Sequence, residues 1–123
     1  MTEAHDPAVA TRPGGQTYHL APEPVWAAQA DAPEYRPEAY AADGFIHCTD
    51  GEVNLLSVAN TFYQSDPRPH VVLVLNLGRV TAPIKYEDPD GIYPHIYGPL
   101  NRDAVAEVRH AVRLANGSFV GIA

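Results

Sequence analysis

Val71-Val72-Leu73-Val74-Leu75 is the stretch that decides the fold. Five consecutive apolar residues, three of them β-branched, offer no polar face to water. The run therefore reads as a central strand covered on both sides. Asp66-Pro67-Arg68-Pro69 stands just before it and breaks whatever helix precedes, because proline lacks an amide hydrogen and crowds the preceding turn. Upstream of that break, Leu55, Leu56, Ala59, Phe62 and Tyr63 recur at helical spacing. They predict a helix over residues 50–65 with Asp50 as its N-cap. Further out, Phe45-Ile46-His47-Cys48-Thr49 predicts a strand entered through Asp43-Gly44, with Ile46 and Cys48 on one face and His47 on the other. Thr17-Tyr18-His19-Leu20 predicts another, with Tyr18 and Leu20 toward the core and Thr17 and His19 away from it. Pro22 and Pro24 suit the first turn of a helix over residues 23–32, which Pro33 and Pro37 end.

Downstream of the central run, residues 82–87 predict a strand closed by the turn Asp88-Pro89-Asp90-Gly91. Pro94 to Pro99 reads as extended, and Asn101 as the cap of a single helical turn. Val108, His110, Val112 and Leu114 alternate with polar or small residues, a period of two that favours a strand. Asn116-Gly117 before Ser118-Phe119-Val120 is a hairpin signal. The sum is an α+β domain over residues 17–123, with about six strands and two main helices. Residues 1–16, with Pro13, Gly14 and Gly15 and no apolar period, read as a disordered tail.

Composition narrows the function. A chain of 123 residues with 46% apolar content forms one folded unit. Lys plus Arg is 8 against 15 for Asp plus Glu, and the net charge of −7 disfavours contact with nucleic-acid phosphates. The single cysteine, Cys48, excludes an internal disulfide and any multi-cysteine zinc site. No stretch approaches the ~20 apolar residues that span a bilayer, and no basic segment leads into an apolar run at the start. The expectation is a cytoplasmic protein whose partner is a small molecule, with neither nucleic acid nor membrane.

Three histidines stand beside aromatic residues: His19, His47 and His95. Their strand positions point to one polar cleft receiving imidazoles. A three-histidine zinc site is conceivable, but the residues lack the spacing of metal ligands, so no metal is expected. Cys48 alternates with core positions and reads as a buried, unreactive thiol.

The blocks Tyr18-His19-Leu20, Gly44-Phe45-Ile46-His47-Cys48-Thr49, Ala59-Asn60-Thr61-Phe62-Tyr63, Tyr86-Glu87 and Tyr93-Pro94-His95-Ile96-Tyr97-Gly98-Pro99-Leu100 together resemble the bacterial family called domain of unknown function 952 (DUF952). The resemblance covers residues 17–122. That family has no established activity and is grouped with the ADP-ribosyltransferase-like proteins. This implies a split β-sheet core whose cleft, in active relatives, holds NAD as substrate. Carried over residue by residue, His19 would bond the ribose hydroxyls. His47, with Thr49, would approach the nicotinamide end. Tyr97 or Tyr18 would stack on the ring.

Breaking the bond from ribose to nicotinamide places positive charge on the sugar. Glu87 is the expected carboxylate beside that charge, with His95 as the alternative catalytic residue. Arg36, Arg79, Lys85 and Arg102 are the expected partners of the pyrophosphate. Alternatives to NAD chemistry are a non-catalytic small-molecule-binding module and a histidine-liganded metal hydrolase.

Overall fold

In the computed structural model, which describes residues 15–123, the chain is a mixed α+β protein built mostly of strands. β1 (Gln16–Pro22) leads into a short helix α1 (Glu23–Ala27), followed by β2 (Glu34–Tyr35) and α2 (Tyr40–Asp43). β3 (Ile46–His47) precedes α3 (Glu52–Phe62), the longest helix among the described residues. Then come β4 (His70–Asn76), β5 (Ile84–Tyr86), β6 (Pro94–Ile96), β7 (Leu100–Asn101), β8 (Val105–Arg113) and β9 (Phe119–Ile122). Single 3-10 turns occupy Leu77–Arg79 and Arg102–Ala104. The predicted tail lies outside the described residues up to position 14, and strand structure begins at Gln16.

Three antiparallel sheets result, ordered β1-β4-β8-β9, β3-β6-β5 and β2-β7. β4 lies inside the largest, as its apolar run predicts, and is buried from His70 through Leu75. Its alternation divides the interior. Val71, Leu73 and Leu75 join Ala21, Tyr35, Ile46, Cys48, Ile84, Ile96 and Leu100 in one core between the large sheet and the small ones. Val72 and Val74 point the other way and are buried too, while α3 packs against β1 and β9 with Leu55 and Ala59 inside. Each fully buried aliphatic side chain contributes about 1.5–3 kcal/mol, so a strand apolar on both faces anchors both layers.

Several expectations are corrected. On β1 the faces are reversed: Thr17, His19 and Ala21 are buried, and Tyr18 and Leu20 half-buried. The cause is register. His19 pairs with Leu73 and Thr17 with Leu75, and cross-strand partners share a face, so these polar residues enter the core beside the leucines. The first helix ends at Ala27, and the chain continues in tight turns to Ala32, where the Ala30 amide donates to the Ala27 carbonyl and the Ala32 amide to that of Gln29. The Gln29 side chain braces this stretch on the backbone of Arg36, donating to its carbonyl and accepting from its amide, both at 2.9 Å. The helix after β3 is capped at Gly51 (φ 88°), and the Asp50 carboxylate instead accepts a 2.7 Å bond from the Tyr86 hydroxyl. That helix stops at Phe62, whose side chain is 71% exposed rather than packed.

The strand expected over residues 45–49 is regular only at Ile46–His47. Thr49 forms instead a bridge to Tyr18, each amide donating to the other's carbonyl (2.8 and 3.0 Å), which ties β1 to the β3 segment. The single helical turn forms over Arg102–Ala104 with Asn101 at its N-cap position, but the Asn101 side chain makes no capping bond; its oxygen accepts from the Thr81 amide at 3.0 Å instead. On β8 the strand forms as expected, but Val108, Val112 and Leu114 are exposed because no small-sheet strand packs over β8 to a comparable extent. The Asp88 turn and the Asn116-Gly117 hairpin form as predicted, with Gly91 at φ 65° and Gly117 at φ 93°.

Candidate functional site

The bridge between Tyr18 and Thr49 sets His19 beneath the β3 backbone. His19 Nδ1 lies 2.7 Å from the His47 carbonyl oxygen. A carbonyl only accepts, so Nδ1 carries the hydrogen and Nε2 keeps its lone pair. Nε2 is sealed from solvent and has no hydrogen-bond partner among the described residues. The same holds for the hydroxyl of Tyr35, whose ring lies 5.9 Å from that of His19. Burial pushes the His19 pKa down to about 4, so the ring is neutral near pH 7. Both residues line a cavity of about 120 Å³, with Tyr40, Phe45, His47 and Arg68 among its other walls.

The outer face of the β3-β6-β5 sheet carries a second group. Antiparallel register sets Lys85, His95 and His47 in one row, while Ile84, Ile96 and Ile46 point into the core. The rings of His47 and His95 are 5.4 Å apart, and Phe45 stacks on His95 at 4.1 Å. A carboxylate orients each imidazole. Asp43 Oδ2 faces His47 Nε2 at 2.9 Å, and Glu87 Oε1 faces His95 Nδ1 at 3.1 Å. A carboxylate accepts, so the nitrogens facing it donate, leaving His47 Nδ1 and His95 Nε2 as the basic positions. Glu87 also accepts from the Tyr97 hydroxyl; these two bonds, the one from Tyr97 foremost, hold its carboxyl below the ordinary range. His47 and His95 line a groove of about 670 Å³ with Thr49, Phe62, Tyr63 and Tyr93. The groove shares His47, Thr49, Val58 and Tyr63 with the smaller cavity, so the two adjoin.

Of the residues singled out by sequence, Tyr18, His19, His47 and Thr49 border the smaller cavity, and His47, Thr49 and His95 the larger groove. Glu87 and Tyr97 border neither; Glu87 is exposed and stands behind His95. The cations expected to meet pyrophosphate border neither space either. Arg36 pairs with Glu34, Arg102 stacks 3.9 Å over Trp26, Lys85 lies over the Tyr97 ring, and Arg79 borders neither space. Arg68 takes the cavity wall instead. In the sequence, Asp66-Pro67-Arg68-Pro69 signals the end of a helix and carries no periodic pattern; the usable signal is a charge held between prolines at the mouth of the central strand. Cys48 is 3% exposed, and burial raises its thiol pKa well above the ordinary range, which disfavours the reactive thiolate. Among the described residues no three His, Cys, Asp or Glu side chains are grouped to hold a metal ion, and no helix is long and apolar enough to cross a membrane.

The family model described as "Protein of unknown function (DUF952)" matches residues 20–108, and the chain belongs to that family. Its fold is similar to the crystal structure of protein CC0527 from Caulobacter crescentus, with a TM-score of 0.74 at 22% identity, covering 86% of this chain and 94% of that one. The solution structure of the same protein matches with a TM-score of 0.64 at 23% identity, covering 83% and 89%. At this identity the likeness shows the fold. A search of the curated proteins finds no significant match.

Proposed function

We propose that this member of a family of unknown function binds NAD or a related nucleotide in the cleft and cleaves or transfers ADP-ribose, on an ADP-ribosyltransferase-like arrangement of split sheets. The observation that carries the reading is the His19 imidazole, whose tautomer is fixed by the His47 carbonyl and whose Nε2 is a buried acceptor without a partner. A ribose hydroxyl supplies the donor that such a nitrogen lacks, and an unsatisfied buried acceptor favours a ligand that satisfies it. The groove beside it is within the ~300–1,000 Å³ range of ligand pockets, and Phe62, Tyr63 and Tyr93 on its walls offer faces to a flat heteroaromatic ring.

In this reading the catalytic role expected of Glu87 passes to His95, and Glu87 becomes a positioning residue. The C1′–N bond breaks and nicotinamide leaves with the bonding pair, placing positive charge on the ribose. Water attacks C1′ and its proton moves to His95 Nε2, while Glu87 stabilises the resulting imidazolium through Nδ1. The test is a calorimetric titration of the full chain with NAD, followed by chromatography for free nicotinamide. Micromolar binding with nicotinamide release is expected. His19→Ala should weaken binding by about 1–2 kcal/mol through the lost hydrogen bond, and His95→Gln should slow release with binding retained. Binding without release would make the protein a non-catalytic module. Absence of binding at millimolar NAD overturns the reading.

A further inference from the structure

Arg68 is the guanidinium on the wall of the smaller cavity, bordering the same space as His19. It is held in place from two sides. Its Nε and Nη2 donate to Asp66 at 3.0 and 2.7 Å, and its backbone carbonyl accepts from His70 Nδ1 and Arg113 Nη1, both at 2.8 Å. The remaining edge of the fork, Nη1 and Nη2, meets both carboxylate oxygens of Glu38 at 3.0 Å. Two parallel N–H donors against two anionic oxygens is also how arginine holds a phosphate.

Glu38 differs from Asp66 in how it is held. Its side chain is 56% exposed against 20% for Asp66, it stands on the loop between β2 and α2, and Arg68 is its hydrogen-bond partner among the described residues. An ion pair this exposed is worth little and is readily exchanged. Asp66 meanwhile keeps Arg68 oriented toward the cavity. The cavity volume of about 120 Å³ is below the ~300–1,000 Å³ of pockets that hold whole ligands and suits a small anionic group rather than a whole nucleotide. The ribose edge that meets His19 and the phosphate at Arg68 would share this cavity, and the wider groove would take the rest.

We propose that Arg68 reads an anionic phosphate or pyrophosphate group of the ligand, which takes the place Glu38 holds in the free protein. This deepens the nucleotide reading and rests on it for the identity of the ligand. It assigns the substrate class as a phosphorylated ribose rather than a free nucleoside. A chain of net charge −7 repels anions at long range, so recognition of one depends on such a fixed short-range cation.

The experiment titrates the full chain and its Glu38→Gln and Arg68→Lys variants with inorganic pyrophosphate, then with ADP-ribose and adenosine. Circular dichroism checks that each variant folds. Glu38→Gln keeps the side-chain shape but removes the competing charge, so it should bind pyrophosphate roughly two- to fivefold tighter than the parent. Adenosine affinity should not change. Arg68→Lys, which loses the fork, should bind pyrophosphate more weakly; if it fails to fold, Glu38→Gln alone decides. Unchanged or weaker pyrophosphate binding by Glu38→Gln overturns the proposal, as does no pyrophosphate binding by either protein. If pyrophosphate behaves as expected but ADP-ribose and NAD bind no tighter than pyrophosphate, Arg68 keeps its role and the nucleotide reading falls. If ADP-ribose binds parent and both variants equally, the nucleotide reading stands and the role of Arg68 falls.

Discussion

At the scale of single residues, a buried neutral imidazole couples folding to pH, because the unfolded chain takes up a proton that the folded chain refuses. His19 has a folded pKa near 4 against an ordinary 6.5, burial being the main cause. Between those values the unfolded state binds more protons, so stability rises with pH. The contribution is complete above the unfolded value and is lost as pH falls from 6.5 toward 4. In full it amounts to roughly 3 kcal/mol. His70, also pushed down by burial, acts in the same sense. Urea unfolding of the parent should therefore show a midpoint that falls between pH 6.5 and 5, where most carboxylates are still ionised. His19→Gln should show a shallower fall, and equal slopes would remove His19 as the cause.

At the scale of elements, the β8–β9 hairpin shows how a local turn is secured by distant packing. Gly117 takes a φ of 93°, which a residue with a Cβ adopts poorly. A Cβ there would also stand 2.4 Å from the backbone carbonyl oxygen of Gln64, beyond the end of α3. Gly91, at φ 65° in the Asp88 turn, has open space where its Cβ would be. The two glycines should therefore separate in a stability measurement. Gly91→Ala should lose about 1 kcal/mol from backbone strain alone, and Gly117→Ala about 2 kcal/mol or more because a fixed backbone atom stands in the way. Thermal or urea melts rank them, and equal losses would mean that the Gln64 segment yields freely.

At the scale of the whole molecule, Cys48 reports on the seam between the large sheet and the small ones. It lies in the shared core with Ile46, Leu73 and Ile96, and its amide donates to the Pro94 carbonyl at 3.0 Å. It is 3% exposed, so little of it is open to a reagent in the folded state. Thiol labelling should thus be slow in the folded protein, and its rate should rise with denaturant in parallel with global unfolding. Cys48→Ala should lose about 1 kcal/mol through packing. Rapid labelling without denaturant would show a local opening at β3 instead.

What the amino-acid sequence determined by itself were the features whose physics is local. An apolar run such as Val71 to Leu75 must be covered on both faces whatever its neighbours are, and β4 lies inside its sheet. Asn116-Gly117 and the Asp88 turn state their own backbone needs. His47 opposite Ile46 and Cys48 follows from strand alternation, since the apolar pair could face nowhere but inward. Alternation over four mixed residues such as Thr17 to Leu20 says which side chains share a face, but not which face is buried. That was decided by the register of β1 on β4, a contact between segments distant along the chain, and it sent His19 into the core rather than out of it. The placement of Arg68 on the cavity wall, and of Glu87 behind His95 rather than in the groove, was likewise tertiary. Charged side chains on loops and at strand ends carry no periodic signal, and the chain's long-range packing alone chooses what they face.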